Sequence, residues 1–276
     1  PQVIQPSSGY FYNANHSPFK STDSLENPLS NNFSKDMGFE QYDNNRSTRI
    51  KQLIDQYDSI SYSDFKRIKY DNQFPKKFNY SFMNIDSLFL IDPDKYPDLK
   101  SIIKEIQLWD RKTDADSYGA GAYGILYSYL RKYYRKLPEP KIFPKSYLIE
   151  GLKETKKHMI KYFGKTKVML GEYQKLVRGN KELPSFGLPD VITAMSSTNY
   201  KDGKVRVFSG ESYIELVKFT NSGPEIESII SYGSSDKVDS KHYSDQMDLY
   251  LSFKTKKMTL DKNKVYKSAK EIYSPK

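Results

Sequence analysis

Apolar residues recur at helical spacing through the middle of the chain. In RSTRIKQLIDQY, residues 46–57, Ile50, Leu53, Ile54 and Tyr57 share one face, which predicts an amphipathic helix. Ser61 with Asp64 predicts a capping box, the hydroxyl accepting from a free amide while the carboxylate reaches back, and a short helix over 64–70. Pro97 suits a first helical turn, and Leu99, Ile102, Ile103 and Ile106 carry a stripe on to Trp109. A longer helix is predicted over 117–136 from Tyr123, Leu126, Leu130 and Tyr133, with Pro138 and Pro140 ending it. Its Gly119, Gly121 and Gly124 weaken it in isolation, so it requires close packing against a neighbour. A further helix is predicted over 147–163.

The pattern changes near residue 165. Val205 to Phe208, Tyr213 to Phe219 and Ile226 to Tyr232 are short runs rich in β-branched and aromatic residues, punctuated by Gly210, Gly223 and Gly233. Such runs predict strands joined by turns. Residues 1–45 are rich in Asn, Ser, Gly and Pro and read as strand ends and loops. The expected class is α+β, in three regions: a strand and loop segment over 1–45, a mainly helical region over 46–165, and a strand-rich region over 166–276. No internal repeat is visible.

At 276 residues the chain is long enough to bury a real core, and its 24 Tyr and 15 Phe compensate for a low apolar fraction of 37%. The formal charge of +10 raises the question of nucleic acid. The cations are interspersed, however. Lys132, Arg135, Lys136 and Lys141 form one group, and Lys153, Lys156, Lys157 and Lys161 form another with Glu150 and Glu154 among them. Both read as solvated helix faces, so no nucleic-acid partner is expected. Without cysteine, disulfides, thiolate metal sites and a Cys nucleophile are excluded. No stretch is apolar enough to span a membrane, and none reads as a signal peptide. PQVIQP at the start does not read as a natural mature terminus, so a trimmed or processed chain is expected.

Self-contained active sites are hard to find. There is no P-loop, no dinucleotide fingerprint and no His pair at helical spacing. GAGAYG, residues 119–124, lies in a helical pattern with no strand before it and does not read as a phosphate cradle. His16, His158 and His242 are far apart in sequence.

The informative segment is GYFYNANHSPFK, residues 9–20: a short aromatic stretch, an Asn-rich turn, and Ser17-Pro18. Read alone it is a surface turn, since Asn readily takes turn conformations. It resembles the stretch of the penicillin acylase family in which a strand delivers an asparagine to the active site. Aligned so, Asn15 matches the oxyanion-hole asparagine, a preorganised donor of a kind worth about 3 kcal/mol in comparable hydrolases. Arg46 opens a helix whose pattern resembles the one the family places after an active-site arginine; Arg49 is the alternative if the register slips. WDRKTDADS, with Trp109, Asp110, Asp116 and Ser117, resembles a structural segment that precedes a long helix. The block from Gly210, Ser212 and Tyr213 to Gly233, Ser235, Ser240, His242, Tyr243, Asp245 and Gln246 resembles the family's closing pattern and carries the most weight. His242 beside Ser240 and Asp245 suggests a triad on paper; a structural or rim role is the expectation. LGEYQKLVRGNKELPSFGLPDVI, residues 170–192, resembles the branch that cleaves long-chain acyl amides, including acyl-homoserine lactones.

The resemblance implies the N-terminal-nucleophile (Ntn) hydrolase architecture of stacked sheets between helices (αββα), of which this chain is an incomplete part. It implies an amide hydrolase working through an acyl-enzyme on a serine whose own α-amino group is the base. The stretch resembled begins after that serine, so this chain by itself is expected to be inactive, with apolar surface left exposed or covered by self-association. The implied partners are an α-chain, the preceding part of the β-chain and a small amide substrate. The implied location is periplasmic or extracellular. Calcium is the implied ion, with Asp23 or Glu26 as its one local ligand and the other ligands elsewhere. The rival reading is a non-enzymatic surface module whose tyrosines stack on glycans or peptides, with Asn15 and Arg46 far apart.

Overall fold

The computed structural model describes residues 1–79, 85–138, 142–272 and 274; Pro140 and Lys141, invoked above, lie outside them. The predicted helices form. They are α1 (Asn45–Ile54), α2 (Tyr62–Lys69), α3 (Lys100–Leu108), α4 (Tyr118–Leu130) and α5 (Lys145–Phe163). The capping box at Ser61 and Asp64 is present at the start of α2. Ser117 caps α4 by accepting from the Ala120 amide at 3.1 Å.

Helix α4 ends at Leu130, short of the predicted Lys136. Its backbone bonds switch there from four-residue to three-residue spacing, with the Lys132 amide on the Tyr129 carbonyl and the Tyr133 amide on that of Leu130. Such tightening satisfies orphan carbonyls at a helix end. The glycines of α4 answer the requirement for close packing. A Cβ on Gly121 would stand 2.0 Å from the Val168 carbonyl oxygen, and one on Gly119 2.4 Å from the Trp109 side chain. Helices α3, α4 and α5 bury Ile102, Ile103, Ile106, Leu126, Leu148 and Met159 in one cluster, joined by Phe74 and Trp109.

A short helix α6 (Leu170–Tyr173) leads into two sheets. The first holds β1 (Gln174–Arg178), β2 (Lys181–Pro184), β3 (Met195–Asn199) and β4 (Val205–Gly210) in the order β2-β1-β4-β3, with β1 and β4 parallel. The second holds β5 (Tyr213–Thr220), β6 (Gly223–Ile230) and β7 (Lys256–Met258), all antiparallel. Between β6 and β7 in sequence lies α7 (Met247–Leu251), and α8 (Lys262–Ser268) follows β7. A second cluster joins the sheets through Leu176, Met195, Val207, Leu216, Ile229 and Tyr250. The mixed α+β class is thus observed. Strands β1, β2, β3 and β7 were not predicted. Their polar sequences (QKLVR, KELP, MSSTN, KKM) offer too few apolar alternations to be read locally.

Residues 1–45 differ from expectation. They form four 3₁₀ turns and no strand among the described residues. The aromatic stretch is tied to Ser21 and Thr22 by the Tyr12 amide on the Ser21 carbonyl at 2.8 Å and the Thr22 hydroxyl on the Tyr10 carbonyl at 2.7 Å. One ladder bond does not make a strand. Leu25, Phe11 and Ile4 are exposed in this segment.

Candidate active site

The turn predicted at Asn13–Ser17 is built from asparagines. The Asn13 side chain accepts from the Asn15 amide at 2.7 Å, and Asn15 takes a φ of 55°. Asn is among the few residues that adopt this left-handed conformation at modest cost. Asn44, the residue capping α1, reaches across to the same turn. Its side-chain NH2 donates to the carbonyls of Ala14 at 2.7 Å and Asn15 at 3.1 Å, while its oxygen accepts from the Ser47 amide at 2.8 Å. The start of α1 and the Asn15 turn are therefore held together by one side chain.

Arg46, two positions on, extends to the Asn15 side chain. Its Nη1 donates to Asn15 Oδ1 at 3.1 Å. A guanidinium only donates, so this bond fixes the amide with its oxygen towards Arg46 and its NH2 turned away. Asn15 is exposed, and no hydrogen-bond partner takes its NH2 among the described residues. The structure therefore brings Asn15 and Arg46 together. Arg49 is used elsewhere: it forms a two-pronged pair with Asp71 at 3.0 and 2.6 Å and also donates to Gln73.

A third residue, which sequence reasoning missed, completes the network. Asp190 Oδ1 accepts from Arg46 Nε at 3.2 Å, and Oδ2 accepts both from the Asn45 amide and from the Asn45 side chain at 2.9 Å. Asp190 lies in the turn between β2 and β3, at a φ of 70°, flanked by buried Leu188 and Val191. Burial pushes its carboxyl above the usual carboxylate range, while the Asn45 amide and the Arg46 guanidinium pull it back. Asn45 is fully buried, and its own oxygen accepts from the Asn79 amide at 2.5 Å. The chain of contacts runs from Asp190 through Arg46 to Asn15, spanning 175 positions of sequence in three side chains. The only local hint was the Leu-Pro-Asp-Val string, which a sequence reader takes for a turn.

The histidines do not join this network. His16 is buried and stacked on Tyr12 with centroids 4.9 Å apart. Its Nδ1 accepts from the Ala14 amide, so Nε2 carries the proton and donates to the Lys20 carbonyl at 2.9 Å; both nitrogens are occupied. His242 Nδ1 meets Asp245 at 2.7 Å, but the Ser240 hydroxyl accepts from the His242 backbone amide rather than facing the ring. The closing motif instead docks the chain. Gln246 is buried, its amide on the Tyr232 carbonyl and its side chain accepting from Ile230. A Cβ at Gly233 would stand 2.1 Å from the His242 carbonyl oxygen.

Asp23 and Glu26 are committed to amides. Asp23 caps a 3₁₀ turn by accepting from Leu25. The two Glu26 oxygens accept from the amides of Ser7 and Ser8. Hydrogen bonds from Ser8 and Ser7 hold the Glu26 carboxyl down at about 2. Calcium needs about six to eight oxygens. Among the described residues no three His, Asp or Glu side chains gather as metal ligands. These two carboxylates do not fit a calcium site on their own.

Residues 1–267 match the model of the penicillin amidase family. The acyl-homoserine lactone acylase PvdQ of Pseudomonas syringae pv. syringae (strain B728a) is 34% identical over 83 residues, 29% of this chain and 11% of that protein. PvdQ of Pseudomonas fluorescens (strain Pf0-1) is 30% identical over 87 residues, 30% of this chain and 11% of that protein. The chain thus aligns with about a tenth of the length of these relatives. A thermostable penicillin G acylase from Alcaligenes faecalis aligns over 98% of this chain and 58% of its own, with 13% identity and a TM-score of 0.45.

Proposed function

The chain belongs to the penicillin amidase family, and on that premise we propose that it is the C-terminal part of the β-chain of an amide hydrolase with an Ntn (αββα) core. In this reading the serine nucleophile and its amino-group base belong to a part of the protein outside these 276 residues, as do the α-chain and the remaining ligands of any calcium ion. The serine attacks the carbonyl of a linear acyl amide, the amine leaves, and water releases the acid from the acyl-enzyme. The substrate class is a long-chain acyl amide, a reading supported by the likeness to proteins named acyl-homoserine lactone acylases. A periplasmic or extracellular location accompanies it. No helix of the described residues is long and apolar enough to cross a membrane.

Asn15 is the oxyanion donor of this mechanism. Its NH2 would stabilise negative charge that develops on the carbonyl oxygen in the tetrahedral intermediate, where a fixed donor acts without reorganising. Arg46 and Asp190 are positioning residues: Asp190 orients the guanidinium and the guanidinium orients the amide. The observation that carries the proposal is the Arg46 bond to Asn15 Oδ1, which leaves the NH2 outward and unspent. The surface-module reading calls for Asn15 and Arg46 to lie apart, and their contact counts against it.

Kinetics of the full-length protein on an N-acyl-homoserine lactone with a long acyl chain test this reading. Asn15→Ala is expected to lower kcat about 10²–10³-fold with KM little changed. Asp190→Asn should lower kcat less, since the amide keeps an acceptor for Arg46. Full turnover by Asn15→Ala would sink the assignment.

A further inference from the structure

A cleft of about 660 Å³ lies where the end of α4, the α5 helix and the β3–β4 turn meet. None of its lining residues belongs to the Asn15 network. Arg131, Lys132, Lys157, Lys161 and Lys204 line it, against one acid, Glu154. Glu154 lies 3.6 Å from Lys157, and Glu182 lies 3.4 Å from Lys204, so two of the cations are offset. Among the described residues no carboxylate pairs with Arg131, Lys132 or Lys161. Lys161 sits instead over the Tyr162 ring at 4.7 Å. The sequence places Lys132, Lys157 and Lys161 on solvated helix faces, yet the fold turns Arg131, Lys132 and Lys161 towards one concave space.

The wall of the cleft is closely fitted. His158 Nε2 donates to the Gly203 carbonyl at 2.7 Å, joining α5 to the β3–β4 turn. Gly203 has a φ of +71°, and a Cβ there would lie 2.2 Å from the Tyr162 ring. Only glycine permits this approach. The His158 ring packs between Tyr162 and Tyr173, with centroids 4.8 and 5.8 Å away.

We propose that this cleft binds a small anion carrying two adjacent phosphate groups. Gathered like charges repel, and a bound polyanion relieves that repulsion. A phosphate carries about −1.5 to −2 at neutral pH, so two of them balance three unpaired cations in a compact volume. Carboxylates bring one charge each, and three would be needed. The Arg131 fork and the lysine ammonium groups are the donors that phosphate oxygens accept best. Tyr129, Tyr162 and Tyr200 also line the cleft, beside the cations. This proposal does not depend on the acylase reading.

Calorimetric titration of the full-length protein with pyrophosphate tests it. One-to-one binding is expected, weakened about tenfold for each of Lys132→Gln and Lys161→Gln, as for loss of a charge-assisted bond. Lys262→Gln, on α8, should leave the affinity unchanged. The His158 ring gives a second readout by proton resonance. Burial, with Lys132 and Lys161 beside it, holds its pKa low. Pyrophosphate should raise the His158 titration midpoint. Vesicles containing phosphatidylglycerol separate a free phosphate from a lipid headgroup. Absence of pyrophosphate binding overturns the proposal. So does equal weakening by Lys262→Gln, equal affinity for citrate, or attachment to vesicles or DNA that pyrophosphate does not compete away.

Discussion

The helical layer of α3, α4 and α5 buries Ile102, Ile106, Leu126, Leu148 and Met159, each at most 1% exposed; residues 1–45 bury one apolar side chain, Ala14, among the described residues. What residues 1–45 bury instead is polar: His16, Ser17, Thr22 and Asn45. One region is shaped by removal of apolar surface from water, which is non-directional. The other is shaped by asparagine, serine and histidine bonds, each of which fixes an orientation. The proposed oxyanion donor stands in the second region. A side-chain amide needs its NH2 aimed, and burial alone does not aim it; the bonds with Asn13 and Asn44 fix the Asn15 backbone, and the bond from Arg46 orients its side chain.

The largest expected effect falls on the helical layer. Leu126→Ala should destabilise the protein by about 2–5 kcal/mol, the usual cost of emptying a closely packed core site. Urea unfolding measures it. Leu126 is fully buried and sits beside Gly151, whose missing Cβ already marks the closeness of α4 and α5. A loss under about 1 kcal/mol would break the comparison, because the layer would then not be the main source of stability.

A smaller effect is expected at the junction of the two regions. Asn44→Ala removes a helix cap, worth about 1 kcal/mol, together with both bonds to the Asn15 turn. Asn44→Asp separates the two roles. It keeps an acceptor for the Ser47 amide but sets a carboxylate against the Ala14 and Asn15 carbonyls. If the turn depends on the Asn44 NH2, Asn44→Asp should retain helix stability by urea unfolding and still lose amide exchange protection around Asn15. Equal protection in Asn44→Asp and wild type would remove Asn44 from the site.

The same contrast explains what was legible in the sequence. Helices α1, α3 and α4 follow from apolar spacing, because burial of a stripe leaves a 3.6-residue signature, and α2 follows from its capping box. The Gly-rich stretch of α4 correctly called for a close neighbour, and Trp109 and the Val168 carbonyl fill that role. Asn15 and Arg46 were singled out through family resemblance, since a polar turn has no period. Asp190 was not found. Its partners are 144 and 145 positions away, and nothing in its local string distinguishes a buried anchor from a solvated turn. The strands β1 and β3 were missed for a related reason: the polar Gln174 and Ser197 within them form a side-chain bond of 2.8 Å.

The smallest expected effect is a titration in residues 1–45. Glu26 accepts from the Ser7 and Ser8 amides, and its carboxyl is held at about 2 against an ordinary value of 4.5. A folded-state pKa below the unfolded one means a contribution that is present above pH 4.5 and lost as the pH falls through about 2. The amide resonances of Ser7 and Ser8 should therefore shift with a midpoint near 2, and their exchange protection should fall over the same range. The Leu126 amide serves as the internal reference. While it stays protected, the helical layer is intact, and any loss at Ser7 and Ser8 is local. Glu26→Gln supplies the check at neutral pH: a neutral amide is a weaker acceptor than a carboxylate, so Ser7 and Ser8 should exchange faster with Leu126 unchanged. A midpoint close to 4.5, or Ser7 and Ser8 losing protection only together with Leu126, would mean that the polar segment has no hold of its own and is carried by the core.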